Sequence, residues 1–268
     1  MQTPFYDIHF VYTCIIRLYC IYLFLTSLEY VYLRQQFSSG GIYSWKIMKF
    51  SKHPIIGHAR LSLVFDRPGI LIIILIRLLL SIYLFVTPLP SLTAYPIAAV
   101  VITSLLLALR NSIGNDGTDQ MSNIVGITIL VSFLTRDAKV ASIGLCFIAI
   151  QSILAYVISG LAKLLSPKWR SGVAVFQIMN TETFGYKQIA TWLHRSPTAS
   201  LLLSWNIMLF EIFFFLTAFL NYPYFFIMMV WGLLFHLFNA VVMGLNHFFW
   251  IFLATYPAIV YLNLILHH

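Results

Sequence analysis

Charge is scarce in this sequence. Asp, Glu, Lys and Arg together make up 9% of its 268 residues, where a soluble domain carries roughly a quarter. Acidic residues are the rarer kind, 8 against 16 basic ones. The formal charge of +8 comes from basic residues clustered in two polar segments, Arg34 to Arg67 and Lys163 to Arg195, as in loops that face an anionic leaflet, and nucleic acid is not an expected partner. Cysteine is nearly missing as well: Cys14, Cys20 and Cys146 fall inside apolar runs, match no metal or redox spacing and read as small buried side chains. No cluster of carboxylates and histidines has metal-ligand spacing, and no internal repeat is visible. What fills the chain instead is hydrophobic sequence, 60% apolar and 16% aromatic, with a mean hydropathy of +0.89.

A helix needs about 20 apolar residues to cross roughly 30 Å of hydrocarbon. Candidate spans lie at 9–34, 69–86, 97–109, 124–134, 140–165 and 200–220. The run at 224–266 is too long for one span and breaks best at 244–246. The expected fold is all-α: a polytopic helical membrane bundle of about eight spans, or seven, forming a single domain over residues 1–268. The first run has neither the basic head nor the small-residue cleavage site of a signal peptide. Surface loops are expected at about 35–67, where Tyr43 and Trp45 suit the interface, and at 166–198. The second, with Trp169, Phe176, Phe184, Tyr186 and Trp192 spread among charges, reads as amphipathic helices lying on the membrane. A third polar stretch, 111–123, is rich in turn formers. The two basic segments, 34–67 and 163–195, fall on one side in this count, the cytoplasmic side by their charge.

Polar side chains at bilayer depth are costly unless they pair or face a bundle interior or a wet cavity. The most informative stretch is 235–257, which carries His236, Asn239, Asn246 and His247 in an otherwise apolar run. On a continuous helix His236, Asn239, Met243 and His247 form nearly one stripe, entered through Trp231; a break at Gly244 would move His247 away. Two histidines flanking an Asn suit proton transfer or a polar ligand, or else serve as hydrogen-bonding glue between helices. Tyr156, Gly160 and Lys163 share a helical face, with Gln151 further back. Lys163 holds an anion, acts as a base, or snorkels to the interface. Glu211 lies mid-span and must be protonated or paired; Lys163, Arg77 and His236 are its candidate partners. Arg17 and Glu29 point to different sides of their helix and reach other spans. Asp116 and Asp119 either supply an acid or base or cap the helix that follows.

These residues carry a resemblance. Gln151, Tyr156, Gly160, Lys163, Trp169, Arg170 and Gly172, followed by Phe235, His236, Asn239, Phe248, Leu253, Ala254, Thr255 and Pro257, resemble two motifs of the vitamin K-dependent γ-carboxylase family. Those enzymes and shorter bacterial relatives share the horizontally transferred transmembrane domain, in which Arg17 and Glu211 also fall at polar positions. The likeness runs in order along nearly the whole chain. It departs at 115–120, Asn-Asp-Gly-Thr-Asp-Gln, where Gly117 stands at the position of the family's catalytic lysine; glycine cannot abstract a proton. The chain is also expected to lack the family's large C-terminal soluble portion. γ-Glutamyl carboxylation is therefore not expected, and whether the chain is an enzyme stays open.

The compact bacterial branch resembles the membrane component of sporulation-delaying-protein systems. It implies a multi-pass protein of the bacterial plasma membrane that matures a secreted antimicrobial peptide with a separately encoded partner. On that reading His236, Lys163, Glu211, Asp116 and Asp119 are the candidate catalytic residues. Tyr156, Gln151, Asn239, Trp231 and His247 are the candidate substrate contacts. No metal is expected. Two alternatives stand beside it: a quinone-linked membrane oxidoreductase, with an isoprenoid quinone as cofactor, and a non-catalytic anchoring, transport or immunity component. The resemblance places the first polar loop and the 115–120 loop outside the cytoplasm, opposite to the placement by charge.

Overall fold

Away from water a backbone satisfies its own N–H and C=O groups as a helix or a closed barrel, and unbroken runs of Leu, Ile, Phe and Val without period-2 alternation favour the helix. The structure, a computed structural model, describes residues 4–51, 59–111 and 117–267. Among them every long apolar run is helical and no strand occurs. The chain divides into two compact units, Met1–Gly144 and Leu145–His268.

The first unit holds α1 (Ile8–Tyr32), α2 (Trp45–Met48), α3 (Ala59–Phe65), α4 (Arg67–Val86), α5 (Ala94–Arg110), α6 (Gly117–Thr135) and the start of α7 (Ala138–Leu165). Asp7 caps α1 by accepting from the His9 amide at 2.9 Å. Pro68 opens α4, where its missing N–H costs nothing. Arg17 reaches another span, donating to the carbonyls of Leu84 and Thr87 at 3.0 Å each, so it ties α1 to the free carbonyls ending α4. The buried face of α6 sets small and hydroxylated residues (Thr118, Ser122, Gly126, Thr128, Ser132) among Met121, Val125 and Ile129, and the small ones let helices approach closely. The Tyr12 hydroxyl uses it, bonding to Ser132 at 2.6 Å.

Two loop expectations are corrected here. Trp45 is not interfacial: it is buried with Met48 and Phe65 in a small core under the first polar loop, its ring 4.8 Å from that of Phe65. The 111–123 stretch is a loop only in part, since helix begins at Gly117. Reading hydropathy alone ended the span at its last apolar residue. The polar residues Thr118 and Ser122 nevertheless continue the buried stripe of Met121 and Val125, and Asp119 sits in the first turn, where the helix dipole favours an acid.

The second unit holds the rest of α7, then α8 (Pro167–Arg170), α9 (Val173–Met179), α10 (Lys187–Arg195), α11 (Pro197–Phe213), α12 (Tyr224–Met243) and α13 (Asn246–Leu266). A 3₁₀ turn, Phe214–Ala218, extends α11. The short helices α8 to α10 carry exposed Lys168, Arg170, Lys187, Trp192 and Arg195 on one side. On the other they bury Val175, Met179, Ala190 and Leu193 against Ile207 and Val242. Ser200 and Ser204 pin this segment by donating to the carbonyls of Gly172 and Trp169 at 2.6 and 2.5 Å. The last run breaks at Gly244, whose φ of +72° ends α12.

Six helices among the described residues are long and apolar enough to cross a membrane: α1, α4, α7, α11 with its 3₁₀ extension, α12 and α13. Large apolar side chains face outward along them, as Leu75, Ile76, Leu79, Ile82 and Val86 do on α4. Such a surface suits lipid and not water. The chain is an all-α, multi-pass membrane-type protein.

Candidate functional site

In the second unit the polar face of α7 meets α11, α12 and α13. Tyr156, Gly160 and Lys163 lie along it, and each has a different partner. Lys163 Nζ donates to both carboxylate oxygens of Glu211, at 2.9 and 2.7 Å, and to Ser159 Oγ at 2.5 Å. Of the three candidate partners for Glu211, the lysine is the one in contact. Lys163 also lies 5.3 Å from the centre of the Trp169 ring, so it does not snorkel freely. Gly160 makes the pairing geometrically feasible: a Cβ there would stand 2.8 Å from Ile212 and 2.9 Å from Glu211 Cβ. The absence of a side chain brings α7 and α11 close enough for the ammonium to span them.

One turn back along α7, Tyr156 forms the centre of a second group. Its hydroxyl shares a hydrogen bond of 2.6 Å with His236 Nε2 and one of 3.3 Å with the Tyr256 hydroxyl. All three residues are buried. Around them stand Phe252, stacked on His236 at 4.7 Å, and Phe214, stacked on Tyr156 at 3.8 Å. Phe210 and Phe235 close the cage. His236 Nδ1 is buried and has no hydrogen-bond partner among the described residues. The chain Tyr256–Tyr156–His236 can be written with its protons in either direction, because each hydroxyl donates or accepts and imidazole has two tautomers. Phe210 and Glu211 are consecutive on α11, one on the Tyr156 ring and the other on Lys163, so the aromatic relay and the ion pair are adjacent.

The remaining candidates are spread out. Gln151 is half-buried on α7, and Asn239 half-buried on α12. Asn239 contributes its carbonyl, which accepts from Leu245 N at 3.1 Å across the break. Trp231 is 46% exposed, at the outer edge of the cage, 6.5 Å from the Phe210 ring. His247 belongs to α13, beyond the left-handed Gly244, so the stripe from His236 is interrupted. Asp116 lies outside the described residues. Asp119 is in the first unit, where it accepts from the Tyr22 hydroxyl at 3.5 Å.

Asp119 there borders a small cavity lined by Tyr30, Arg77, Ser104, Asn111, Ser122 and Asn123 among others. Arg77, midway along α4, is 5% exposed. It donates to Ser27 Oγ and Thr26 Oγ1 at 2.9 and 3.0 Å and lies 5.7 Å from the Tyr30 ring centre. Next to this cavity Arg110 is fully buried, donating to the carbonyls of Phe65 and Tyr43 and to Asn111 Oδ1.

Sequence reasoning missed Tyr256, Phe252, Ser159 and the cavity around Arg77. The sequence held one signal of the packing alone: Gly232, one turn before His236, leaves a gap in α12 that something must fill, and the structure fills it with the Tyr256 hydroxyl. No family model, characterised protein or solved structure matches this chain.

Proposed function

We propose that the chain is a plasma-membrane protein that matures a secreted peptide, using acid–base chemistry in its second unit. The observation that carries this reading is the buried Tyr256–Tyr156–His236 chain beside the Lys163–Glu211 pair. Intramembrane polar groups of this kind are expensive and mark sites by default. A relay with two proton arrangements is suited to moving a proton to or from a bound group, and the neighbouring ion pair adds two charges without adding net charge. Peptide maturation itself rests on the sequence resemblance to the compact relatives of the γ-carboxylases. In this reading α5 and α6 also cross, giving eight spans, with α8 to α10 at the interface.

The test is mass spectrometry of the chain purified in its native lipids, with an organic extract run in parallel. The expected result is a co-purifying polypeptide whose mass differs between wild type and His236→Ala, the variant holding the unprocessed form. Equal masses in both, or no polypeptide, would sink the proposal.

The aromatic cage favours one other reading. Flat walls at His236, with Trp231 half exposed at the edge, suit an isoprenoid quinone entering from lipid. A stoichiometric quinone in the organic extract, lost on Phe252→Ala, would put redox chemistry in place of maturation.

A further inference from the structure

The first polar loop belongs to neither the relay nor the ion pair, and its charge is of one sign. Arg34, Lys46, Lys49, Lys52 and Arg60 lie between Glu29 and Asp66, with no acidic residue among them. The loop joins two membrane-length helices, since α1 ends at Tyr32 and α4 begins at Arg67. It is folded back onto their ends. Phe37 packs with Ile70, Ile74 and Leu107, and the Tyr43 carbonyl accepts from Arg110. A loop held against the ends of spanning helices sits where hydrocarbon gives way to headgroups. Tyr32, 83% exposed in the last turn of α1, is a side chain suited to that depth.

The fold sorts the loop's large side chains into two sets. In α2, Trp45 and Met48 are buried with Phe65. Lys46 and Ile47 fall on the opposite face by helical periodicity, and both are exposed. Lys49 and Phe50 follow, exposed as well, with the Lys49 ammonium 5.7 Å from the centre of the Phe50 ring. Phe50 is 85% exposed and Ile42 63%. A single apolar side chain in water is ordinary. Here Ile42, Ile47 and Phe50 are interleaved with Arg34, Lys46 and Lys49 on a segment without carboxylates.

That mixture selects the partner. An apolar protein face would leave the lysines unpaired, and water would leave Phe50 and Ile42 hydrated. The headgroup layer of an anionic leaflet accepts both: apolar side chains enter the acyl boundary while cations meet phosphate. We propose that this loop docks on anionic phospholipid, with Phe50, Ile47 and Ile42 at the acyl boundary and Lys46, Lys49 and Arg34 on the headgroup phosphates. Phe50 thus takes the interfacial place expected of Trp45. The docking rests on the membrane-type fold and goes beyond the maturation reading.

The experiment is amide hydrogen exchange, read by mass spectrometry, on the full chain in nanodiscs. One set holds phosphatidylcholine alone, the other equal parts of phosphatidylcholine and phosphatidylglycerol. Each basic residue near an anionic surface strengthens association about fivefold, so exchange across 42–50 should slow at least about threefold with phosphatidylglycerol. The slowing should shrink as salt rises from about 0.1 M to about 1 M. The uncharged turn at 88–93, at the far end of α4, is the internal control and should not respond. Lys46→Gln with Lys49→Gln should abolish the lipid-dependent slowing, and Phe50→Ser should weaken it. These side chains are exposed, so thermal midpoints in detergent should match wild type. Equal exchange in the two discs, equal slowing at 88–93, or slowing that survives either variant would each overturn the docking. So would protection that appears only when a co-purified polypeptide is added, which would make the surface a protein interface. The mass of a co-purifying peptide is a separate readout, so failure here leaves the maturation reading intact.

Discussion

The hydroxyl of Tyr256 stands where a side chain at Gly232 would begin: a Cβ built on Gly232 falls against that oxygen, with Phe214 next nearest at 3.1 Å. Gly232 and His236 are four residues apart on α12 and share a face, so the missing side chain at one position lets Tyr256 complete the hydrogen-bonded chain that ends at the other. Gly232→Ala should displace the hydroxyl and destabilise the second unit by about 1–3 kcal/mol, the usual cost of overpacking. Adding Tyr256→Phe removes the clashing oxygen and should recover part of that loss in thermal unfolding, but no function. Recovery of both would mean that the relay is only packing.

The Lys163–Glu211 pair should behave as a unit. Glu211→Gln leaves a buried ammonium without its counter-charge and should cost about 3–5 kcal/mol. Lys163→Met combined with Glu211→Gln should be more stable than Glu211→Gln alone, since no unpaired charge remains. A double-mutant cycle in detergent reads the coupling directly. Strict additivity would show that the two groups do not interact.

Arg110 holds the first polar loop in place through the carbonyls of Phe65 and Tyr43. Arg110→Met should leave both carbonyls unpaired and cost about 3 kcal/mol. Hydrogen exchange is the measurement that locates the effect. Protection should fall around Trp45 and Phe65 and stay unchanged in α12 and α13.

Gly244 gives a cleaner conformational prediction. Nothing lies within 4 Å of a Cβ added there, yet its φ is +72°. Gly244→Ala should cost about 1 kcal/mol from backbone strain alone, and Gly244→Asn less, because Asn tolerates the left-handed region. Equal melting of all three proteins would mean that α12 and α13 run on without the break.

The eight-span count is tested by cysteine labelling from the two sides of the membrane. Lys46→Cys and Gln120→Cys should label from one side and Ser91→Cys from the other. Labelling of residue 120 from the side of residue 91 would mean that α5 and α6 do not cross.

Much of the architecture was legible without coordinates. The length of an apolar run fixes whether it can span a bilayer, and that is a local property, so the helices around 9–34, 69–86, 140–165 and 224–266 stand where hydropathy puts them. The break at Gly244 was legible for the same reason, since one glycine among large apolar residues is a local signal. The shared face of Tyr156, Gly160 and Lys163 followed from helical periodicity. α6 was read too short because its first turns are helical but polar, and hydropathy does not register a buried hydroxyl face.

What only the tertiary structure decided is the choice of partners. The sequence left Glu211 with three candidate cations, and helix packing at Gly160 selected Lys163. It placed Trp45 at an interface, where the fold buries it on Phe65. Tyr256 and His236 carry no mark of each other in sequence, and Arg77 and Asp119 face one cavity from different helices. Polar groups at depth must find partners, and the sequence states that requirement plainly. Which partner is found depends on side chains separated by dozens of residues coming within 3 Å, and that is set by how the helices pack.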